Sequence, residues 1–406
     1  MSEVNERLRH IIQHAYDNAP AVKEIMSAAG VSPDDIQTVA DLDKIPVTSK
    51  DRLVELQAAS PPFGGFLAVP INTLQHVFFS PGPLYEPSAD QGAMIDTAQD
   101  IIEIAGFDAA DVVINTFSYH LVPTGLAVDQ VLTQIGATVI PAGVGNADLQ
   151  LKMMLDLAVT GYLGTPSWLM ALIEKAEESG LDFRGQFSVR KALVSAEPLP
   201  PPLRQTLVDK YGLSITNVYG TAELGSLAYD TKGDLPMHLL KTPIVQVTNP
   251  DTGQPVGPGD TGEVVVTTFD ETYPLIRLGT GDLAVNVDPA PGKSLQEERS
   301  IILVGRVGDA VKVRGMFVHP NQLTFALSQV PGIARAQAVV TRPANRDELS
   351  LRVVLADEAA DHEQLTAALG EAIRAACRVR ADRIEFVAAD AVPEDAKVIL
   401  DERSWE

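Results

Sequence analysis

Three short segments carry residue types whose spacing suits phosphate and ribose chemistry. In SITNVYGTAELG, residues 214–225, a strand-like run ends at Tyr219 and is followed by Gly220, Thr221 and Glu223. A glycine after a strand lets backbone approach a ligand closely. Thr221 offers a hydroxyl and nearby N–H groups to a phosphate, and Glu223 can hold a hard cation. The plainer reading is a surface turn with a helix cap, because Thr before Glu is ordinary capping chemistry. In YPLIRLGTGDLAV, residues 273–285, Arg277 and Asp282 sit where a strand gives way to a Gly-rich turn. Asp accepts from both hydroxyls of a ribose; an Asx-turn beside an ordinary Arg is the alternative. In GRVGDAVKVRG, residues 305–315, Arg306 and Arg314 could serve an anionic ligand, or lie on a solvated strand face.

Such groups need strand ends and loops to hold them. Residues 3–29 show helical apolar spacing interrupted at Pro20, and PPFGGFLAVP, residues 61–70, reads as a loop and then a short strand. From about 90 to 215, helical runs (93–104, 124–135, 149–159, 168–179, 201–211) alternate with β runs (112–116, 138–141, 192–195). That alternation predicts parallel βαβ units with ligand loops at the strand ends. From Gly262 the texture becomes antiparallel, at 263–269 and 283–287. Beyond 305, a helix at 322–327, strands at 336–341 and 349–356, a helix at 362–378 and a strand at 384–387 predict a small α+β domain. The expected fold is therefore α/β. A large domain of mixed and parallel sheets with flanking helices, 1–304, joins a small α+β domain, 305–406, through a Gly-bracketed hinge.

Composition narrows the partners. The chain has 406 residues, 45% of them hydrophobic, with 31 basic against 54 acidic residues and a formal net charge of −23. So acidic a surface repels phosphate backbones and anionic lipid, so no nucleic acid and no membrane is expected as a partner. The single Cys377 excludes an intrachain disulfide and a thiolate metal cluster, and reads as an idle thiol on a helix. The charged, amphipathic N-terminus has no apolar core of a signal peptide, so a cytoplasmic protein is expected.

Taken together and in order, the segments resemble the adenylate-forming (AMP-binding) superfamily, and in particular its phenylacetate–CoA ligase branch. The likeness extends through AGVSPDDIQTVADLDKIPVTSKDRL, DVVINTFSYHLVPTGLAVDQVLTQIGATVIPAGVGN, LGTPSWL, LVSAEPLPPPLRQ, VYGTAELG, LIRLGTGDL and GRVGDAVKVRGMFVHPNQL. It implies an ATP-dependent acid–CoA ligase that activates an aryl or other small carboxylate through an acyl-adenylate, using ATP/AMP, Mg²⁺ and coenzyme A. By the same resemblance, Ser195, Ala196, Glu197 and Pro198 would line the adenine pocket, with Tyr219 stacking near the base beside Gly220. Thr221 would bond the α-phosphate, Glu223 would hold Mg²⁺, and Asp282 and Arg306 would take the ribose hydroxyls. Tyr119 and His120 would border the carboxylate substrate and the later thiol tunnel. The hinge would lie within Val307–Asp309, and a homodimer is compatible with all of this.

Two departures stand out. Where the family's phosphate loop is rich in Ser, Thr and Gly with a Lys, this chain has FFSPGPLYEP, residues 78–87. Pro81, Pro83 and Pro87 lack an N–H, and Glu86 places a negative charge where a polyphosphate would pass. Such an opposed charge at about 4 Å costs on the order of 1–4 kcal/mol. In the tail AVPEDAKVILDERSWE, Asp401 and Arg403 fit the family's ending, whereas ungapped alignment puts Asp395 at the catalytic lysine. Lys397 is the candidate for that role, with a solvated surface lysine as the plain alternative. Three readings stay open on the sequence: the ligase, a non-adenylating nucleotide or acyl-CoA binder, and an adenylating enzyme with an amine or carrier-protein acceptor.

Overall fold

The computed structural model describes residues 3–80, 84–89, 93–233, 235–307, 311–314, 316–318, 320–343, 347–356, 361–377, 379–394 and 396–403. Pro81, Pro83, Asp309 and Asp395, singled out above, lie outside them. The chain divides into two compact units. One comprises residues 1–280 and 286–302; the other comprises 281–285 and 303–406.

The first unit opens with helices α1 (Glu3–Asn18) and α2 (Pro20–Ala28), split at the expected proline. After the two-residue strand β1 (Thr48–Ser49) comes α3 (Lys50–Ala59), capped by the Ser49 side chain. No strand forms within 61–70, contrary to the sequence expectation. Ala68 makes a bond to Thr272 (3.0 Å), and Pro70 cannot donate to a ladder. The hairpin β2 (His76–Ser80) and β3 (Leu84–Ser88) follows.

The alternating region gives α4 (Ala93–Ile104), β4 (Val112–Asn115), α5 (Thr124–Gln134), β5 (Thr138–Pro141), α6 (Ala147–Asp156), β6 (Gly161–Gly164), α7 (Pro166–Glu178), a short turn of helix α8 (Phe183–Gln186) and β7 (Lys191–Val194). The helix expected over 201–211 is α9 (Pro201–Gln205), which passes into a π-helical turn at 206–210. Strand β6 is absent from the sequence reading. Its GYLG carries two glycines because the neighbours leave no room: a Cβ on Gly161 would meet Phe107 at 2.4 Å, and one on Gly164 would meet Thr116 Oγ1 at 2.0 Å. Glycine weakens a strand signal.

Strands β4 to β7 run parallel, β7 pairs parallel with β8 (Ser214–Thr221), and β9 (Gly225–Asp230) turns the sheet antiparallel. The sheet continues through β10 (Met237–Leu239), β11 (Ile244–Thr248), β12 (Thr261–Thr267), β13 (Leu278–Val287) and β14 (Ser300–Arg306), in the order β11-β12-β13-β14-β10-β9-β8-β7-β6-β4-β5. Alternate side chains of the parallel strands build two cores. Tyr162 and Ala192 pack with Leu169 and Leu172 of α7 on one face, while Leu163 and Leu193 pack with Ile101 of α4 and Val131 of α5 on the other.

The second unit holds a small hairpin, β15 (Val311–Val313) with β16 (Met316–Val318), then α10 (Pro320–Ser328) and β17 (Ile333–Thr341). Strand β18 (Glu348–Leu355), helix α11 (His362–Cys377), β19 (Arg383–Phe386) and β20 (Ile399–Asp401) complete it. Its four-stranded sheet, β19-β18-β17-β20, shares a core with Leu323, Leu369 and Ile373 of the two helices. Cys377 lies in that core, and burial pushes its thiol up to about 12, as an idle thiol requires.

Candidate active site

Parallel strands in an α/β sheet present their carboxyl ends to ligands. Here a cavity of about 350 Å³ opens at the ends of β4, β6, β7 and β8, lined by Thr116, Thr165, Ser195, Ala196, Gly220 and Thr221, with Met94, Ala98, Phe117 and Val128 as an apolar wall. Backbone geometry shapes it. Ser195 donates from its N to Gly164 O (3.2 Å) and from its hydroxyl to Val218 O (2.8 Å), which ties β7 to both neighbours. Ala196 follows in the left-handed region at φ 72°, turning the chain away from the sheet. Register shifts between Tyr219 and Gly220, and a Cβ on Gly220 would meet Gly225 O at 2.4 Å. That slip delivers Thr221 to the cavity, where its buried hydroxyl has no hydrogen-bond partner.

The turn after Thr221 is that of a hairpin into β9, not the start of a helix, so helix capping does not explain Thr221 and Glu223. The Glu223 side chain is 2% exposed and forms an ion pair with Lys50, the first residue of α3. Sequence reading gave Lys50 no role. A lysine after a Ser cap is unremarkable, and nothing in local spacing links it to a glutamate on another strand. Glu86, on β3, is likewise 5% exposed, and neither of its carboxyl oxygens has a hydrogen-bond partner. Burial raises its carboxyl to about 7, the Glu223 charge adding to that and the neighbouring Ser80 hydroxyl and Lys50 charge opposing it. Glu86, Glu223 and Tyr273 line a small cavity of about 50 Å³. Gln57 of α3 fixes this hairpin: its side chain accepts from Tyr85 N (2.8 Å) and donates to Tyr85 O (2.8 Å) and the Tyr273 hydroxyl (2.9 Å).

Other candidates fall elsewhere. Glu197 accepts from Ser167 N (2.7 Å) at the start of α7, and exposed Pro198 and half-buried Tyr219 lie outside the lining of the larger cavity. Tyr119 donates its hydroxyl to Asp129 (2.6 Å) and accepts from Asn115 (2.7 Å). Exposed His120 and half-buried Tyr119 are also outside that lining, whereas Phe117 and Ser118 are in it. Arg277 is 1% exposed at φ 52°, and its guanidinium donates to the carbonyls of Leu42 (3.2 Å), Ile45 (2.5 Å) and Gly253. It is a brace, not a turn residue, because β13 runs unbroken through the glycines after it.

In the second unit, Asp282 and Arg306 are together, Arg306 Nε 3.5 Å from Asp282 Oδ1. Arg314 is committed within its own unit to Asp382 (3.0 Å) and the Arg380 carbonyl, so the anionic-ligand reading does not hold for it. Of the proposed hinge, Val307 alone is described. Lys397 is exposed just before β20, and its carbonyl accepts from Gln337 (2.9 Å). Asp401 and Arg403 pair with each other (2.7 Å). Among the described residues, no cluster of three or more His, Cys, Asp or Glu is arranged to hold a metal, and no helix is long and apolar enough to cross a membrane.

Residues 90–269 match the family model described as AMP-binding enzyme. The phenylacetate–coenzyme A ligase of Escherichia coli K12 is 30% identical over 88% of this chain and 84% of its own length. That of Aromatoleum evansii is 29% identical over 87% and 81%. A solved structure of an open 2-hydroxyisobutyryl-CoA ligase with 2-HIB-AMP and CoA shares the fold, with TM-score 0.83, 24% identity and coverage of 98% of this chain and 91% of that one. The family match and the 30% identity over most of both chains make this chain an adenylate-forming enzyme. Within that class, the chain belongs to the phenylacetate–CoA ligase-like branch of the AMP-binding family.

Proposed function

We propose that this chain joins a small carboxylic acid to coenzyme A, using ATP and an acyl-adenylate intermediate. The observation that carries the reading is the convergence of Ser195, Ala196, Gly220 and the unpartnered Thr221 hydroxyl on one cavity beside Glu223. A carboxylate oxygen attacks the α-phosphorus of ATP and pyrophosphate leaves; the CoA sulfur then attacks the acyl carbon and AMP leaves. Thr221 donates to an α-phosphate oxygen, an interaction that strengthens as charge develops there. Asp282 and Arg306 take the ribose, and Lys397 offsets charge during adenylation. A buried glutamate with a hard oxygen donor suits Mg²⁺, and Glu223 would hold it. The ion, when bound, supplies positive charge to the phosphate oxygens. The apolar wall of Met94, Ala98, Phe117 and Val128 favours an aryl or other compact apolar acid over a dicarboxylate.

Exchange of labelled pyrophosphate into ATP, run over a panel of acids, tests this directly. Acid-dependent exchange, with an acyl-CoA product when CoA is added, is expected. Intact AMP binding with no exchange for any acid would instead support the non-adenylating reading. Exchange without a CoA product would point to an amine or carrier-protein acceptor.

A further inference from the structure

We propose that Glu86 and Glu223 form a two-carboxylate site for a divalent cation, which this chain holds before nucleotide arrives and from which Lys50 is displaced. The inference rests on the reading of Glu223 as the cation ligand and adds a second ligand from the segment where the phosphate loop departs from the family's.

Both carboxylates line the same small cavity of about 50 Å³, which exceeds the roughly 10–15 Å³ that a single water requires. Glu86 is buried to 5% exposure with both oxygens unpartnered, an arrangement a folded chain seldom leaves uncompensated. Glu223 is close enough for its charge to act on Glu86, and Lys50 acts on both. With Glu86 ionised, the Glu86–Glu223 pair carries one negative charge beyond the single ammonium of Lys50. A divalent ion in place of the ammonium would bring it to neutrality. Lys50 is the mobile member: its side chain is 29% exposed, against 2% for Glu223, so it can turn to solvent without unfolding anything. Ser88, Thr268, Tyr273 and a third carboxylate, Asp270, which accepts from Thr272 N and Tyr273 N, also border the cavity beside apolar side chains, so its polar side chains offer oxygens, the set that hard cations such as Mg²⁺ and Mn²⁺ prefer. The hairpin that carries Glu86 is held by Gln57, which keeps the ligand in place when Lys50 leaves.

The test is Mn²⁺ binding to the full-length, nucleotide-free protein, with free ion followed by electron paramagnetic resonance. Wild type is expected to take up a single Mn²⁺. Glu86→Gln and Glu223→Gln should each weaken it by about 10-fold or more, the range seen for lost supporting groups at metal sites. Lys50→Met, which keeps both carboxylates and removes their competitor, should tighten it. The inference is overturned by Mn²⁺ affinity in Glu86→Gln equal to wild type, by absence of binding without nucleotide, or by unchanged affinity in Lys50→Met. Pyrophosphate exchange separates the two readings. Exchange intact in Glu86→Gln with unaltered Mn²⁺ affinity would sink this site and leave the ligase standing. Loss of all exchange in wild type with Mn²⁺ binding intact would do the reverse.

Discussion

The strand ends at Ser195–Ala196 and Gly220–Thr221 and the hairpin that carries Glu86 lie in the same unit but are built by opposite means. The first region is shaped by backbone. Ala196 takes a left-handed turn, Gly220 has no room for a side chain, and the register slip after Tyr219 sets the direction of Thr221. The second region is shaped by charge. A helix start, a hairpin strand and the β8–β9 turn, which closes on Gly225 at φ 75°, bring Lys50, Glu86 and Glu223 together, and the ion pair and buried carboxyls set the character of the region. A site made by backbone tolerates few sequences and is well ordered before ligand binds. A site made by buried charges tolerates many, but its stability depends on protons and ions. Adenylate binding and triphosphate handling should therefore respond differently to mutation and to solution conditions.

The largest expected effect tests the backbone-built side. Thr221→Val keeps the shape and removes a hydroxyl that has no internal partner. Adenylate formation in a single turnover should fall by roughly 100- to 1000-fold, as when a donor to a developing oxyanion is removed. Thermal stability should hold or rise slightly, because a buried unpaired hydroxyl is lost. A large fall in melting temperature together with the rate would show that Thr221 serves the fold, and the contrast between the two regions would collapse.

The charge-built side is tested by pH. The ordinary carboxyl value is 4.5, and Glu86 in the folded protein is at about 7. Between those values the folded state keeps a proton that the unfolded state has lost, so stability falls as pH rises through this window and levels off above it. In metal-free buffer, Glu86→Gln should be more stable than wild type above about pH 8, by an amount on the order of 1–3 kcal/mol. The difference should vanish near the ordinary carboxyl value. Urea unfolding at a series of pH values measures it. A constant offset across that range would mean that Glu86 does not titrate on folding.

The same contrast explains what the sequence could disclose. The βαβ alternation from 93 to 211 and the α+β unit after 305 were legible because apolar periodicity reports burial locally. The strand Gly161–Gly164 was not, since its glycines answer to Phe107 and Thr116, which are distant in sequence. Gly220 and Thr221 were legible only as a candidate, since a glycine after a strand fits both a ligand and a plain turn, and the crowding that demands Gly220 comes from the Gly225 carbonyl. Lys50 was invisible, since an ion pair across elements leaves no trace in spacing. Arg277 misled for the same reason: its flanking glycines suggested a ligand turn, whereas its partners are carbonyls on residues 42, 45 and 253. The charge of Glu86 was evident in the sequence, but its burial was not.

The smallest effect sharpens where the backbone-built region ends. Resemblance gave Tyr119 a place at the substrate, yet its hydroxyl bridges Asn115 of β4 and Asp129 of α5. Burial raises that phenol's pKa and the bond to the Asp129 carboxylate raises it further, so it stays a neutral donor throughout the working pH range. Tyr119→Phe removes one donor and one acceptor while keeping the ring. The expected loss is about 1 kcal/mol of stability, since the Asp129 carboxylate and the Asn115 amide each lose a partner near the protein interior. The acid's KM should move by less than about twofold, because uniform binding is lost only where a contact is lost. A KM raised well beyond that, with stability unchanged, would return Tyr119 to the substrate and extend the backbone-built region from Ser118 to the next residue along the loop.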